Sequence, residues 1–482
     1  MDTAVAVPDV LDSSGAGRLM LRGGALRSLG YVLGVLLALI SAPLLIRHLG
    51  VADFGRWVTI TSLVFIVSGL TELGMTAVGL REYSVRDEAG RRALIRELLT
   101  VRLVAAIGGA VAAVLFAAIA GYGETLVLGT AIMSFGLILN AAQTTIATPL
   151  NAALRLGWVT AIDIARQVAT VVLIAGLVLA GANLLPFFAV PVIGSAVAVV
   201  LTYALISSEI PVIPTRELKS AWVLVRETLP YAAATAFGVV YFRVEIILMS
   251  LIATAEETGI FGVAFRVVEI AAGIPWLLVN SAFPILARAA RDDQARLRYA
   301  LGRLFEGSII AGVAMALALG FGAAFAVDAL GGDESSVSPL QVLSAALVAN
   351  FLVATWAFAL LTLRRYRTLL LSNIAAFLLG GTLTLLLVPS RGALGAAIAV
   401  TATECALAFT YFVALLRARP DLRPPVNVLP AVAVAVAVTI ASLTLLDLPS
   451  VVEAALAPAS FVAVLAAFRA IPAELIDAAR SR

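Results

Sequence analysis

Four ionisable residues lie within two consecutive long apolar stretches in the second half of the chain. Arg243 and Glu245 belong to one stretch, and Arg266 and Glu269 belong to the next. A charged group at the centre of a bilayer costs about 2.5–3.5 kcal/mol on insertion scales, so such groups usually face a cavity or a partner. Guanidinium groups bind phosphate through two parallel hydrogen bonds. The residue types therefore predict a site for an anionic ligand, with carboxylates that position the arginines or carry protons.

The spacing of these residues permits two interpretations. With an outward turn at residues 253–258 and a rise of about 1.5 Å per residue, all four lie about 12–17 Å below the turn. An antiparallel hairpin could pair Arg243 with Glu269 and Glu245 with Arg266. In one interpretation these pairs only fix the hairpin; in the other, the arginines face a hydrated cavity and hold an anionic head group. We favour the cavity, because a hairpin in lipid does not require four charges, and we rank Arg243 and Arg266 first.

Other arginines near the ends of apolar stretches are weaker candidates. Arg27 lies at the inner mouth of the first stretch, where it could meet a head group. Arg56 lies at the outer mouth and could guide release of a ligand. Asp163 and Arg166 are three residues apart at the inner end of the fifth stretch, which favours a local ion pair at the membrane interface.

Two single acids in apolar helices are candidates for ion coupling. Glu72 lies in the second stretch and Glu404 in the twelfth, and either could be a proton or sodium site. The chain has one histidine, His48, and one cysteine, Cys405, so a disulfide framework and a thiolate or histidine-rich metal site are excluded. No metal-ligand spacing or phosphate-cradling glycine motif occurs. We predict no catalytic residue, metal, cofactor or nucleic-acid partner.

The composition identifies lipid as the solvent for most of the chain. Hydrophobic residues make up 62% of the 482 residues and charged residues 13%, and the mean hydropathy is +1.05. A typical soluble protein carries about 25% charged residues. Because burial grows slowly with chain length, a globular domain cannot hide this much apolar surface. A cytosolic enzyme, a secreted disulfide scaffold and a disordered chain are therefore excluded.

Fourteen apolar stretches are each long enough to cross about 30 Å of hydrocarbon. They are residues 26–46, 57–80, 101–121, 126–148, 160–180, 186–207, 228–252, 259–286, 304–328, 339–363, 368–388, 393–416, 428–446 and 451–468. Arginine concentrates in alternate loops, as the positive-inside rule requires of cytoplasmic loops. We predict an all-α polytopic membrane protein with fourteen transmembrane helices and both termini in the cytoplasm. The first stretch is interpreted as a retained span, because the polar residues before it do not resemble a signal peptide.

An internal repeat divides the predicted helices into two lobes. Residues 49–57 and 253–262 each place an acid two positions before a glycine, Gly55 or Gly259, that is predicted to open the next helix. Because six spans separate the copies, both begin on the same face, which predicts a pseudo-twofold axis along the membrane normal. Shared turn chemistry is the alternative explanation. The predicted parts are an N-terminal tail (1–25), an N-lobe of six spans (26–207), a linker (208–227), a C-lobe of six spans (228–416), two extra spans with the preceding loop (417–468) and a cytoplasmic tail (469–482).

Several strings around these repeats resemble the polysaccharide-type flippases of the multidrug/oligosaccharidyl-lipid/polysaccharide exporter superfamily. The resemblance covers the first twelve spans, and the strings favour the polysaccharide branch over the multidrug branch. The extended signature of the peptidoglycan-precursor flippases is not seen. One departure is Glu245, where the family more often has Asp. The strings are LIRHLG at 45–50, FG at 54–55, LGM at 73–75, RE at 81–82, VEIIL at 244–248, EETGIFGVAFR at 256–266 and FP at 283–284.

The resemblance implies a function as well as a fold. Two six-helix lobes would face a central cavity and carry a polyprenyl-diphosphate-linked oligosaccharide across the cell inner (cytoplasmic) membrane by alternating access, without enzymatic activity. The implied partners are that substrate and membrane lipids, with coupling to H⁺ or Na⁺ and contact with polysaccharide-assembly enzymes left open. The alternatives are a cation-coupled multidrug-type exporter, a membrane glycan polymerase or ligase, and a non-transporting scaffold. A polymerase or ligase needs an outward catalytic loop, which the short loops do not supply.

Overall fold

The structure is a computed structural model that describes residues 16–72, 74–207, 237–241, 243–446 and 448–470, and most of these residues are helical. No strand occurs in these ranges, so the predicted all-α class is confirmed. Two short 3₁₀ turns, Glu334–Ser336 and Pro420–Leu422, connect helices. The helices are α1 (Ala16–Glu72), α2 (Met75–Val85), α3 (Glu88–Ile119), α4 (Glu124–Ile146), α5 (Thr148–Ala152), α6 (Leu156–Leu179), α7 (Leu184–Phe187), α8 (Val190–Ile206), α9 (237–252, apart from residue 242), α10 (Ala255–Asp292), α11 (Gln294–Phe321), α12 (Ala323–Leu330), α13 (Val337–Thr362), α14 (Tyr366–Ala418), α15 (Val428–Thr444) and α16 (Ser450–Ala467).

Ten helical segments among the described residues are long and apolar enough to cross a bilayer. Two of them, Val32–Glu72 and Tyr366–Ala418, would measure about 60 and 80 Å as straight helices, against about 30 Å of hydrocarbon. Each contains one glycine outside helical geometry, Gly50 (φ 73°) or Gly392 (φ 51°), close to where the sequence predicts a turn between two spans. The total of fourteen stays a prediction, because the seventh predicted span begins outside the described residues.

Glu257, in the first turn of α10, stabilises the bend in α14. Its carboxylate accepts a hydrogen bond of 2.6 Å from the amide of Ala393, the first residue after Gly392. This amide opens a helical segment, where a carboxylate also suits the helix dipole. The positive φ favours glycine at position 392, and a Cβ there would also displace the Glu257 carboxylate from its hydrogen-bonded position.

The repeated segments begin their helices earlier than the sequence predicts. α10 starts directly after Thr254, whose hydroxyl accepts a hydrogen bond of 3.1 Å from the amide of Glu257. In the first copy the helix resumes directly after Gly50. The prediction that Gly55 and Gly259 open their helices was wrong, because a threonine cap and a glycine turn already start them.

The two glycines instead allow the repeated segments to contact each other. A Cβ on Gly259 would overlap the carbonyl oxygen of Val51, and a Cβ on Gly55 would overlap the carbonyl oxygen of Ala255. Two helix backbones approach this closely only where neither residue carries a side chain. The glycines therefore serve packing of the two copies.

The chain divides into two compact units. Unit 1 is Met1–His48 with Leu63–Ala236, and unit 2 is Leu49–Ser62 with Phe237–Arg482. The segment after Gly50 belongs to unit 2 because the glycine contact holds it against α10. In unit 1, α4 and α6 both pack on α8, and in unit 2, α13 packs against α10, α11 and α14. The six-helix composition of the predicted lobes stays a prediction.

Candidate functional site

The four ionisable residues of the predicted site lie on α9 and α10, two consecutive helices joined at residues 253–254. Arg243 is about 14 Å from the end of α9, and Arg266 and Glu269 are about 16 and 21 Å from the start of α10. The α10 residues lie deeper than predicted, because this helix starts at residue 255 rather than after 258. The charges are thus close to the middle of the predicted membrane layer.

One carboxylate, that of Glu269, holds both arginines. Arg243 donates from Nη2 to Oε1 of Glu269, and Arg266 donates from Nη1 to Oε2 at 2.8 Å. Arg243 Nη1 lies 3.5 Å from Ser62 Oγ, and the guanidinium carbon lies 5.6 Å from the centroid of the Phe265 ring, at cation–π distance. The structure contains the predicted pair Arg243–Glu269. We call Arg243, Arg266 and Glu269 the arginine cluster.

The arginine cluster carries one positive charge more than its carboxylate neutralises. Its two arginines differ in solvent access, since the side chain of Arg243 is 8% exposed and that of Arg266 is 31% exposed. A guanidinium has five N–H donors, so Arg266 keeps several donors besides the one that it gives to Glu269. Arg266 is therefore the more accessible arginine of the cluster, and Arg243 is the buried one, which holds the other oxygen of the same carboxylate.

Glu245 does not pair with Arg266, contrary to the prediction. Arg266 and Glu269 are three residues apart on one helix face, so Arg266 takes its partner locally. Glu245 is two residues from Arg243 and projects from a different side of α9. Its carboxylate lies against Gly380 of α14, where a Cβ would come within 2.9 Å of Glu245 Oε1.

Glu245 and Glu404 form a second group, which we call the carboxyl pair. Both are buried, and with Tyr241 and Asn350 they line a cavity with room for about one water molecule. The Tyr241 hydroxyl donates a hydrogen bond of 2.7 Å to Glu404 Oε1, and Glu404 Oε2 has no hydrogen-bond partner among the described residues. Two carboxylates in a low-dielectric cavity repel each other, and a proton or a small cation between them removes that repulsion.

Glu72, the other acid predicted for ion coupling, has a structural position in unit 1. Its carboxylate accepts hydrogen bonds from the amides of Gly74 (3.0 Å) and Thr76 (2.9 Å), where α1 ends and α2 begins. Arg102 of α3 is buried and lies 3.8 Å from it. Sequence reasoning missed Arg102 because it stands at the edge of a predicted span, where arginine is common.

Arg27 and Arg56 belong to neither group. Arg27 is exposed on the first half of α1. Arg56 lies in the second turn after the glycine bend, half exposed, and pairs with Asp53 at 2.6 Å. Their roles at the two mouths of a transport path stay predictions.

A third polar group occurs in unit 1. Arg166 donates from Nη2 to Asp163 Oδ1 at 3.3 Å and from Nη1 to Asn140 Oδ1 of α4 at 3.5 Å. The predicted Asp163–Arg166 pair is present, but its predicted place at the inner end of the helix was wrong. Because α6 begins at Leu156, Arg166 lies about 15 Å along a helix of about 36 Å.

The fold and these groups define a polytopic helical membrane protein with ionisable residues in its interior, a class that includes transporters. Residues 20–290, more than half of the chain, match the family described as "Polysaccharide biosynthesis protein". The chain belongs to this family, and the resemblance stated above is confirmed. No curated protein matches the chain in sequence.

Solved structures similar to this chain share its fold at low sequence identity. A lipid II flippase, MurJ, in an inward closed conformation is 11% identical with a TM-score of 0.75, covering 92% of this chain and 98% of that one. An outward-facing multidrug resistance MATE family transporter of the MOP superfamily is 12% identical with a TM-score of 0.62, covering 84% and 96%. A MOP superfamily transporter from Pyrococcus furiosus is 12% identical with a TM-score of 0.61, covering 84% and 96%.

Proposed function

We propose that the protein is a flippase that moves a polyprenyl-diphosphate-linked oligosaccharide from the cytoplasmic to the outer leaflet of the cell inner membrane by alternating access. The family relates the chain to polysaccharide biosynthesis, and a similar structure is named a lipid II flippase. The observation that carries the proposal is the arginine cluster, which presents a net positive charge deep in an apolar helix pair. Both termini lie in the cytoplasm, as the arginine-rich loops predict.

The physical task of such a flippase explains the cluster. A diphosphate brings two or more negative charges through about 30 Å of low dielectric, where isolated ions are strongly disfavoured. A fixed guanidinium lowers that cost and forms charge-assisted hydrogen bonds to phosphate oxygens. The lipid tail needs no protein site, because it stays in the bilayer while the polar head crosses. The substrate is moved without a covalent change, so no catalytic residue is required.

A reconstitution experiment tests this function directly. Lipid vesicles with and without the protein receive fluorescent undecaprenyl-diphosphate-linked N-acetylglucosamine in the inner leaflet, and a membrane-impermeant lectin reports its arrival outside. We expect faster arrival with the protein than with empty vesicles. Equal rates would contradict the proposal, and so would protein-dependent export of a cationic dye without movement of the glycolipid.

The second candidate is a cation-coupled exporter of small amphipathic molecules. The likeness to MATE transporters and the carboxyl pair favour it. On that hypothesis the acids, rather than Arg266, bind the cargo. The dye arm of the vesicle experiment decides between the two.

The carboxyl pair is proposed as the ion-coupling site of the flippase, with H⁺ or Na⁺ as the ion. It is favoured over Glu72, because the Glu72 carboxylate already accepts two backbone amides. Polysaccharide-assembly enzymes are proposed partners that supply and consume the lipid-linked glycan.

Neutralising the carboxyl pair is expected to uncouple transport from the ion gradient. Glu404→Gln removes one of the two negative charges whose repulsion a bound proton or cation would relieve. Stimulation of flipping by an imposed H⁺ or Na⁺ gradient should therefore fall about 10-fold, which corresponds to about 1.4 kcal/mol. Glu245→Gln should behave in the same way. The measurement is the initial flipping rate in vesicles with and without each gradient.

Two controls make this result interpretable. Tyr241→Phe removes the hydrogen bond to Glu404 but keeps both carboxyls, so gradient stimulation should persist. Binding of undecaprenyl diphosphate should change by less than about twofold in the Gln variants, because the arginine cluster is intact. Full gradient stimulation in both Gln variants would remove the carboxyl pair from coupling.

A further inference from the structure

The polar group of Asn140, Asp163 and Arg166 lies where a membrane protein rarely tolerates one without a use. Arg166 is near the middle of α6, yet its side chain is 40% exposed, and that of Asp163 is 55% exposed. Charged side chains at this depth face a water-filled cavity or a polar ligand, since hydrocarbon solvates neither charge. The exposed half of this group therefore marks a hydrated surface of unit 1.

Residues of two neighbouring helices contact the Arg166 side chain and limit its movement. Its guanidinium reaches from α6 to Asn140 on α4, and both of these helices pack on α8. Gly194 of α8 lies beneath the side-chain stem, where a Cβ would be 3.4 Å from Arg166 Cγ. The stem of the side chain thus packs against α8 at a residue without a side chain. Two hydrogen-bonded partners and this packing restrict the orientation of the guanidinium.

The charge balance decides which ligand this group suits. Arg166 is paired with one carboxylate, that of Asp163, so the group has no net charge, whereas the arginine cluster has a net positive charge. A neutral group with several donors and acceptors gains little from phosphate but matches hydroxyls, which both donate and accept. The Asp163 carboxylate accepts, the guanidinium donates and the Asn140 amide does both.

We propose that Asn140, Asp163 and Arg166 form a subsite in unit 1 that binds sugar hydroxyls of the transported lipid-linked glycan. The inference rests on the proposed function and adds a division of labour to it. The neutral group supplies recognition of the glycan, which a site for the diphosphate alone does not provide. Sites built to hydrogen-bond a hydroxyl discriminate strongly against ligands that lack it.

The test compares two probes on the full-length protein in nanodiscs. The probes are undecaprenyl diphosphate, which has no sugar, and the lipid-linked glycan extracted from the membranes of the producing cell. Asn140→Ala, Asp163→Asn and Arg166→Lys should each lower the affinity for the glycan-bearing probe about 5- to 10-fold, as expected for one or two lost hydrogen bonds. Affinity for undecaprenyl diphosphate should stay unchanged, which also shows that each variant is folded.

Arg92→Lys is the matched control. Arg92 is exposed on α3 and pairs with Glu88 at 2.6 Å, so this variant also alters an arginine of an acid–arginine pair in unit 1, but at a helix end. It should bind both probes like the parent protein. If the parent protein binds both probes equally, or the variants lose both equally, the sugar subsite is overturned while the flippase proposal stands. If the parent protein binds neither probe, the flippase proposal fails and the subsite with it.

Discussion

Arg266→Ala is expected to weaken binding of undecaprenyl diphosphate about 10- to 100-fold, the range for losing a charge-assisted hydrogen bond, without unfolding the protein. Arg266 is the accessible member of the arginine cluster, with 31% of its side chain exposed. Its removal leaves Arg243 and Glu269 as a neutral pair, so no buried charge loses its partner. Affinity in nanodiscs and the flipping rate in vesicles measure the effect.

Variants of neighbouring residues separate ligand binding from stability. Arg266→Lys keeps the charge but loses the planar fork, so it should restore binding only in part. Glu269→Gln should instead lower stability by about 3–5 kcal/mol, because buried Arg243 is left without its carboxylate. Arg419→Ala, which changes an arginine of similar exposure that is paired with Asp421, is the control for loss of one positive charge. Binding unchanged in Arg266→Ala would assign the cluster to structure alone.

Local geometry made part of the candidate site predictable from the sequence. The sequence predicts that Arg243 and Glu269 meet, because they lie at similar distances on either side of one turn in an antiparallel hairpin. The all-helical class followed from composition and the length of the apolar stretches. Such inferences succeed because helical rise and the thickness of hydrocarbon are constants that apply before any tertiary contact forms.

The contacts that the sequence did not reveal are those between distant segments. Glu404 appeared as a single acid, yet it accepts a hydrogen bond from Tyr241, 163 residues away. Pattern and spacing carry no signal for such a contact, and Tyr241 and Asn350 have ordinary polar groups. Glu72 resembled an ion site because the break after α1, whose amides it caps, is not visible as a run of polar residues. The sequence places Arg166 too close to the start of α6, because no capping side chain marks where this helix begins.

Gly259→Ala is expected to destabilise the protein by about 3 kcal/mol or more, because the added methyl overlaps a backbone carbonyl that cannot rotate away. Gly262→Ala, one turn further along α10, should cost about 1 kcal/mol, since its Cβ would be 3.3 Å from a methyl of Val58 that can shift. Gly108→Ala in α3 has no atom within 4 Å of the added Cβ and should gain about 0.5–1 kcal/mol from helix propensity. Thermal unfolding in one detergent ranks the three variants.

The same series reports whether the glycine contact supports ligand binding. Gly259 allows the segment Leu49–Ser62 to pack closely against α10. This segment ends at Ser62, whose Oγ lies 3.5 Å from Nη1 of Arg243. Displacing that segment should therefore disturb the arginine cluster as well as the packing. We expect Gly259→Ala to weaken undecaprenyl diphosphate binding about 10-fold below the unfolding temperature, the equivalent of about 1.4 kcal/mol, whereas Gly262→Ala and Gly108→Ala bind like the parent protein. If Gly259→Ala and Gly108→Ala are equally stable, the backbone contact is contradicted. If Gly259→Ala is destabilised but binds normally, the contact does not position Arg243.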